Sequence, residues 1–523
     1  MTAPPGPQPL ERSHAVMFAL AALVVLVFGA AVLVPDVVGV QHDDGVYVGT
    51  AQELAGGNGY RIAHLQGMPA QTKYPILYTG WLAMWWAAWP RLLALQVGTL
   101  TIMAVGVSLA GAWALRWGYA TRNAVLAGTL MAAVSPSLLY YATIPMSEGM
   151  YMICLMAALW AAEAEDRADR SPLRTVATGL LIALPFQCRS IGLVVPLFPA
   201  LAWLAWRHPR RTGWLALGAT AVIAPWFLWI ASNPASGDVY NTSYAGYYGT
   251  YGVLSVRHLL TNTFMIGFSS GQLVVEGLSA TLRQAVPFPA LALTLFAVGL
   301  VPWIWLVRHR GRLLPLVMLS TAAVLLVWPW PPERFLVPLA PLLAIGFADA
   351  ISGRVRERWA MGVLGLLIVL SAFTDVRVGN QVRANGYPIH PIQAEADIAG
   401  WRPHAALFGW IEQNTDPDAI LASGMDPMVY LYTGRTGFRP WTGQPQIMFY
   451  GREGLALGTA DDLERALRAG GATHFVEIPL AGFAEEPHLP ELLSAHRQAF
   501  PDRWKRVYAD PEDARFAVWV LGE

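Results

Sequence analysis

Six ionisable side chains in this sequence combine the two kinds of group that proton transfer on an anionic substrate requires. A carboxylate can act as a general base when it lies within hydrogen-bond reach of the proton. Lysine and arginine bind anions such as phosphate. The six are widely separated along the chain; they are Asp43, Asp44, Glu148, Lys73, Arg189 and Arg334. They can act together only if the fold brings them to one place.

The acidic pair Asp43-Asp44 follows the first apolar segment of the chain. One interpretation is structural: either aspartate caps a helix over 46–55, because aspartate is a favoured N-cap residue. The other is catalytic. Two adjacent carboxylates cannot both ionise cheaply in a partly dry site, so the pKa of one of them can shift to a value that suits proton abstraction. The sequence leaves both interpretations open.

The other ionisable candidates also have structural alternatives. Lys73 is one of only two lysines, and its side chain can extend to lipid headgroups. Glu333 and Arg334 can form an ion pair in a loop, and Glu148 suits a helix N-terminus for electrostatic reasons alone. Arg189 interrupts an apolar stretch, where ionisable residues are usually functional.

Several neighbouring side chains are predicted to contact the substrate; these are His42, Tyr47, Tyr74, Tyr247 and Glu333. Tyr247 belongs to a loop that also carries Tyr240, Tyr244, Tyr248 and Tyr251. Tyrosine rings can stack on a sugar or anchor a loop at a membrane interface. Both roles are compatible with this loop.

Composition indicates what kind of protein must position these groups. Of the 523 residues, 55% are hydrophobic and only 13% are charged, against about 25% charged residues in soluble domains. Long apolar runs predict a polytopic α-helical membrane protein with about eleven transmembrane helices. The spans are predicted near 13–34, 93–115, 123–141, 146–162, 174–188, 190–206, 212–231, 289–307, 312–329, 335–351 and 359–374.

Arginine clusters predict the orientation of these spans. Alternate short connections carry two or three arginines each, and such loops are usually cytoplasmic. The N-terminus is then cytoplasmic, and the loops over about 35–90 and 231–288 are external. The same assignment puts the six ionisable candidates on the external face, which favours a functional interpretation of the set.

The chain divides into two predicted domains, a transmembrane domain over 1–378 and an external domain over 379–523. The second alternates helical patterns with short apolar strands, which predicts a small soluble α/β domain with a mainly parallel sheet. Phosphate loops, HExxH and paired CxxC motifs are absent from the sequence. The formal net charge is zero, so no nucleic-acid partner is expected.

The order and spacing of these motifs resemble the GT-C superfamily of membrane glycosyltransferases. The likeness is strongest to the bacterial branch related to protein O-mannosyltransferases and to the aminoarabinose transferase of lipid A. It covers about residues 10–375, and its elements are Asp43-Asp44 with Tyr47, the stretch ending at Tyr60, Lys73-Tyr74-Pro75, Ser147-Glu148, the segment from Arg189 to Leu193 and the segment from Glu333 to Leu339. Lys73 is followed by tyrosine and one proline instead of two prolines, which departs from the family's lysine motif.

The resemblance implies transfer of a sugar from a polyprenyl-phosphate carrier to an acceptor hydroxyl at the external face of the bacterial inner membrane, usually with inversion. It implies Asp43 or Asp44 as the base, with Glu148 as a further acidic site residue, and the three cations as ligands of the donor phosphate. The acceptor is a glycan, a lipid or a protein. Some relatives use a divalent metal and others do not, so Asp43, Asp44 and Glu148 are also candidate metal ligands.

Three alternatives remain at the level of sequence. A transporter or lipid flippase would carry charged groups near the middle of the membrane, on broken helices, whereas here they cluster at one face. An O-antigen-ligase-like enzyme would use the same carrier but transfer a whole chain. An inactive member of an assembly complex would bind the acceptor through its C-terminal domain.

Overall fold

The computed structural model describes residues 9–167, 171–233, 255–309, 311–391, 399–441, 457–480 and 488–522. Up to Asn385 the described chain is almost entirely helical. The first ten helices are α1 Arg12–Val32, α2 Asp43–Ala55, α3 Ile76–Ala88, α4 Leu92–Arg116, α5 Arg122–Ala133, α6 Pro136–Thr143, α7 Glu148–Arg167, α8 Pro172–Ala183, α9 Leu197–Arg207 and α10 Thr212–Ser232. Six more follow: α11 Val256–Leu282, α12 Phe288–Trp305, α13 Leu313–Leu326, α14 Glu333–Leu336, α15 Ala340–Ser352 and α16 Glu357–Asn385.

Seven helical segments within the described ranges are long and apolar enough to cross a membrane. They are Arg12–Val32, Leu92–Arg116, Ser190–Arg207, Pro209–Ser232, Phe288–Trp305, Glu333–Ser352 and Glu357–Asn385. Helices α5 and α6 are joined by a bend of 54°, and the number of candidate spans rises to eight if this pair is counted as one span. The other predicted spans fall on α7, on α8 and on α13, which has only 14 residues. The chain is thus a multi-pass membrane protein, and the count of eleven stays a prediction.

A long helix lies in the region predicted as the second external loop. Helix α11 covers 27 residues and packs along α12 at backbone contact. A Cβ atom on Gly271 would come within 1.9 Å of the Leu295 carbonyl oxygen, so no larger side chain fits there. Hydropathy missed α11 because the helix carries polar residues such as Asn262 and Glu276, yet both of these are buried.

The C-terminal region folds around a five-stranded sheet of order β2-β1-β3-β5-β4. Its elements are α17 Trp401–Asn414, β1 Leu421–Ser423, α18 Asp426–Thr433, β2 Gly437–Phe438, α19 Ala460–Ala469, β3 His474–Glu477, α20 Leu489–Ala499, β4 Trp504–Ala509 and β5 Ala517–Leu521. The β1 strand pairs in parallel with β2 and β3, whereas β5 pairs antiparallel with β3 and β4. The expectation of a mainly parallel sheet is therefore wrong, because two of the four strand pairs are antiparallel, β3 with β5 and β4 with β5, and the connection over 510–516 joins β4 and β5 as a hairpin.

The C-terminal region is not set apart from the helices. Helix α16 continues to Asn385, past the predicted domain boundary at residue 378. Helix α18 packs against α2 and the segment before it, and one continuous buried core includes residues from both regions. The segment that carries the acidic pair is therefore enclosed between the helices and the C-terminal region.

Candidate active site

Asp43 is the first residue of α2, and its carboxylate contacts side chains from two distant segments. Arg334 Nη1 donates to Asp43 Oδ2 at 2.7 Å, and the Tyr74 hydroxyl donates to Asp43 Oδ1 at 2.5 Å. Burial raises the pKa of Asp43, but Arg334, Lys73 and the hydrogen bonds outweigh burial and hold this pKa well below its usual range. Asp43 is consequently ionised at neutral pH.

Glu148 begins α7 and shares Arg334 with Asp43. Its Oε1 atom accepts hydrogen bonds from Arg334 Nε at 2.6 Å and from Arg189 Nη1 at 2.5 Å. The residue is completely buried, and its Oε2 atom has no hydrogen-bond partner among the described residues. Unpaired buried oxygens are rare in folded proteins, so this atom marks a place where a ligand or water can bind.

The three predicted cations all lie in or beside this cluster. Lys73 Nζ is 4.9 Å from the centre of the Tyr74 ring, and the Arg189 guanidinium is 4.7 Å from that of Phe335. Burial lowers the pKa of Lys73, although the nearby Asp43 carboxylate opposes this effect. Two ionised carboxylates and three cations leave the cluster with one excess positive charge, which suits an anionic ligand.

Tyrosine rings form one wall of the cluster. The Tyr47 ring lies 4.7 Å from that of Tyr74 and 5.1 Å from that of Tyr78. The Tyr47 hydroxyl donates to Ser147 Oγ at 3.3 Å, which links α2 to the residue before Glu148. Tyr47 and Tyr74 were predicted substrate contacts, and both border the charged groups.

Asp44 has a different environment although it is adjacent in sequence. Its carboxylate accepts backbone N–H bonds from Gly39 at 2.6 Å, Val40 at 3.1 Å and Gln41 at 2.8 Å, and the residue is completely buried. Burial raises the pKa of Asp44 to about 6, against the opposing effect of these amides. The Asp44 carboxylate thus stabilises the turn before α2, and its described contacts are all with backbone amides.

Two other predicted contacts point to neighbouring clusters. Glu333 Oε1 is 3.3 Å from His390 Nε2 and 3.2 Å from Ser137 Oγ. His42 Nε2 lies 3.1 Å from an oxygen of Asp426 in the C-terminal region. Both residues precede a site residue in the chain, but the hydrogen bonds and ion pairs described for their side chains are with Asp426, His390 and Ser137. Tyr247 and the other four loop tyrosines lie outside the described residues.

No set of three or more His, Cys, Asp or Glu side chains within the described ranges is arranged to hold a metal ion. Asp43 and Glu148 bind Arg334, and Asp44 binds backbone amides. The three predicted metal ligands therefore do not share a common coordination centre.

Sequence reasoning missed four residues that lie in or beside the site: Phe335, His390, Glu276 and Asp426. Phe335 belongs to the segment from Glu333 to Leu339 but was not singled out, His390 lies in a stretch without a recognisable signal, and Glu276 lies in the supposed external loop. Asp426 had a usable signal, because it follows the apolar residues of β1 within a few positions, and polar groups at strand ends often serve a site.

The fold has counterparts among solved structures. ArnT from Cupriavidus metallidurans, in a crystal structure bound to undecaprenyl phosphate, has a TM-score of 0.57 at 14% identity, and 98% of each chain is covered. The archaeal oligosaccharyltransferase AglB from Archaeoglobus fulgidus, in complex with an inhibitory peptide and a dolichol-phosphate, has a TM-score of 0.54 at 13% identity. That alignment covers 98% of this chain and 74% of AglB. Both are similar to this chain in overall fold, which confirms the GT-C resemblance at the level of fold.

Comparison by sequence gives no further relative. No protein-family model matches the chain, and no curated protein matches it.

Proposed function

We propose that this protein is a membrane glycosyltransferase that moves a hexose or pentose from a polyprenyl-phosphate donor to an acceptor hydroxyl, with inversion. The observation that carries the proposal is the partly buried cluster in which Arg334 contacts both Asp43 and Glu148, with Arg189 and Lys73 beside it. This cluster combines an ionised carboxylate with an excess of cations. We place the reaction at the external face of a bacterial inner membrane, with the C-terminal region on the same side, as the arginine pattern predicts.

The cations suit a phosphate leaving group. Phosphate needs no general acid at neutral pH, but the charge that develops on it must be stabilised. Fixed cations in a site that excludes water stabilise such charge far better than water does. Lys73, Arg189 and Arg334 supply them in this proposal, with the donor phosphate replacing part of the contact between Arg334 and the two carboxylates.

Asp43 acts as the general base. Its low pKa makes it a weak base while Arg334 is fully engaged with it. When a donor phosphate draws Arg334 away, Asp43 loses part of that stabilisation and its basicity increases. Asp43 then takes the acceptor hydroxyl proton as the acceptor oxygen attacks the anomeric carbon. The bond from that carbon to the phosphate oxygen breaks, and polyprenyl phosphate leaves with the electron pair.

A small apolar pocket beside the cluster, with room for about one water molecule, would have to widen to hold the isoprenoid chain of such a donor. It is lined by Tyr151, Leu155, Ile191, Phe335 and Leu339, with Arg189 among the lining residues. A chain bound there would bring its phosphate to the cations. The solved ArnT and AglB structures contain undecaprenyl phosphate and a dolichol-phosphate, respectively, which supports a lipid-phosphate donor for this fold.

A lipid-linked glycan flippase is the second candidate, and one observation favours it. Asp375 is buried within the long helix α16, and neither of its carboxylate oxygens has a hydrogen-bond partner among the described residues. Buried carboxylates inside membrane spans are typical of transport pathways. The Arg334 cluster favours the transferase, because its charges lie at helix ends beside loops.

The chemical fate of the donor separates the two candidates. The purified protein in liposomes is supplied with a panel of radiolabelled hexosyl- and pentosyl-polyprenyl phosphates and with a cell-envelope extract as the source of acceptors. A transferase converts the donor to polyprenyl phosphate and labels an acceptor, whereas a flippase leaves the donor intact. The donor concentration for half-maximal rate should rise about 10- to 100-fold in Lys73→Ala, because a charge-assisted contact contributes about 1.5–3 kcal/mol.

The control for this variant is Arg91→Gln, which removes an exposed cation from the short connection between α3 and α4 and should leave the donor requirement unchanged. Movement of intact donor across the bilayer without any conversion would overturn the proposal in favour of the flippase.

A further inference from the structure

The turn that immediately precedes Asp43 is strained. His42 has φ 62° and ψ −58°, and the Asp43 N–H donates to the Gln41 carbonyl oxygen at 2.7 Å. Together these describe a γ-turn with positive φ centred on His42, a conformation that is rare and strained for a residue with a side chain. Such backbone geometry costs about 1–3 kcal/mol and persists only where the surroundings hold it.

The contact that holds His42 comes from the C-terminal region. Asp426, the first residue of α18, places Oδ1 3.1 Å from His42 Nε2 and Oδ2 3.4 Å from His64 Nε2. The Asp426 side chain is completely buried, and both histidines are buried as well. One carboxylate thus links α18 to two points of the predicted first external loop, His42 immediately before α2 and His64 after it.

The rest of α18 contacts the same segment at backbone level. The Tyr432 hydroxyl accepts from the Val38 N–H at 2.9 Å and donates to the Asp36 carbonyl oxygen at 2.8 Å. A Cβ atom on Gly39 would lie 2.8 Å from Met428 Cβ, so only glycine allows this approach. These contacts immobilise the chain from residue 36 up to the γ-turn.

We propose that Asp426 is a positioning residue for the Asp43 general base: it holds His42 in the strained turn and so directs the Asp43 carboxylate to Arg334 and Tyr74. The C-terminal region then completes the active site, although it contributes no group to the chemistry. This inference rests on the proposed function for the role of Asp43. The contact between α18 and the turn can be tested without that role.

Two measurements on the full-length protein test the inference. Hydrogen–deuterium exchange over the peptide 36–50 reports on the turn regardless of activity, and steady-state transfer reports on catalysis. Asp426→Ala should raise exchange over 36–50 and lower kcat about 10²-fold, since a misplacement of about 1 Å costs that much. The KM for the donor should change by less than about threefold, because the phosphate-binding cations are untouched. Asp426→Asn keeps an acceptor oxygen for His42 and should retain more of kcat than Asp426→Ala.

Asp510→Ala is the matched control. Asp510 is also a buried acid of the C-terminal region, but among the described residues its carboxylate accepts from Glu512 N at 2.9 Å, Asp513 N at 3.0 Å and the Tyr508 hydroxyl at 3.4 Å, all close in sequence. Its loss should lower thermal stability while exchange over 36–50 and kcat stay near the wild-type values.

The outcomes distinguish failure of the positioning role of Asp426 from failure of the proposed glycosyltransferase function. Unchanged exchange over 36–50 in Asp426→Ala, or raised exchange with kcat unchanged, overturns the positioning role. An equal loss of kcat in Asp510→Ala overturns it as well, because general destabilisation would then explain both variants. If the wild type converts no donor, the proposed function fails, and raised exchange in Asp426→Ala alone would still support the contact between α18 and the turn.

Discussion

Arg334 is the residue on which the charge balance of the site depends, because it contacts both carboxylates of the cluster. Its guanidinium is the strongest of the favourable interactions that lower the pKa of Asp43. Arg334 therefore keeps the Asp43 carboxylate ionised and, until a phosphate arrives, keeps it a poor base. The same residue serves both the donor and the base in this proposal.

The pH profile of Arg334→Gln tests this dual role. Asp43 must be ionised to act as a base, and the wild-type pKa of Asp43 lies well below its usual range, so ionisation of Asp43 should not limit kcat/KM between pH 5 and 8. Removing the arginine leaves burial to raise this pKa, so kcat/KM should fall as the pH drops through a new acid limb nearer neutrality. The measurement is kcat/KM for the donor from pH 4.5 to 8. A variant profile with the wild-type shape, merely scaled down, would contradict the assignment, and Arg91→Gln should leave both shape and scale unchanged.

Sequence alone predicts the types of group in the site but not the difference between Asp43 and Asp44. Motif order was enough to select Asp43, Lys73, Glu148, Arg189 and Arg334 as one set. Asp43 meets Arg334 from a segment 291 positions away, whereas Asp44 meets backbone amides three to five positions before it. Residue type and spacing are the same for both, so only the folded backbone distinguishes the proposed base, Asp43, from the turn-stabilising carboxylate of Asp44.

At the scale of elements, α11 and α12 pack through small residues. A Cβ on Gly299 would come within 1.8 Å of the Gly267 carbonyl oxygen, so the two backbones are in direct contact. Small residues at such interfaces let membrane helices approach closely. This pair also fixes Glu276 of α11, which accepts hydrogen bonds from the Ser137 N–H at 2.9 Å and from Ser137 Oγ at 2.6 Å.

A single added methyl group tests this packing. Gly271→Ala puts its Cβ against the Leu295 carbonyl oxygen, and overpacking of this kind typically costs about 1–3 kcal/mol. Thermal unfolding in detergent, followed by loss of the folded monomer, should therefore begin at a clearly lower temperature. Gly362→Ala, in α16 with open space around its Cβ position, is the control and should unfold like the wild type. Equal stability of Gly271→Ala and the wild type would show that the two backbones do not approach this closely.

Hydropathy predicts elements well where burial and apolarity coincide. It located α1, α4, α10 and α12 because each is a long apolar run. It failed for α11, whose buried polar residues are satisfied within the protein and not by lipid or water. It also missed β2, because a strand of only two residues shows no hydrophobic periodicity. The antiparallel direction of β5 could not be predicted either, because it depends on the connection before this strand and not on the composition of the strand.

At the scale of the whole molecule, the described charges gather into separate groups. The Arg334 cluster lies beside the C-terminal region. A second group contains Arg312, which donates to the Trp117 and Gly118 carbonyl oxygens, and Arg211, which pairs with Glu165 at 3.2 Å. The arginines of the second group belong to the loops predicted to be cytoplasmic. The orientation of the chain stays a prediction, and the grouping is compatible with it.

Composition and motif order predicted a mostly helical, multi-pass membrane protein, and the structure has the overall fold of the ArnT and AglB structures. They did not reveal that the C-terminal region packs on the segment before Asp43. That contact joins Asp426 to His42 and His64, which lie nearly 400 positions earlier in the chain. No local sequence pattern predicts a contact over such a separation.

The most direct test of the proposed reaction is the initial rate of sugar transfer from radiolabelled polyprenyl-phosphate donors by the wild type and by two variants, Asp43→Asn and Asp44→Asn. All three proteins are purified and checked for equal binding of polyprenyl phosphate. Loss of a positioned general base typically costs 10²–10⁴-fold, so Asp43→Asn should lose at least about 10²-fold in rate with donor binding retained. Asp44→Asn should mainly lose thermal stability and keep more of the rate than Asp43→Asn. Transfer by Asp43→Asn within a few-fold of the wild-type rate would contradict the assignment of Asp43 as the base.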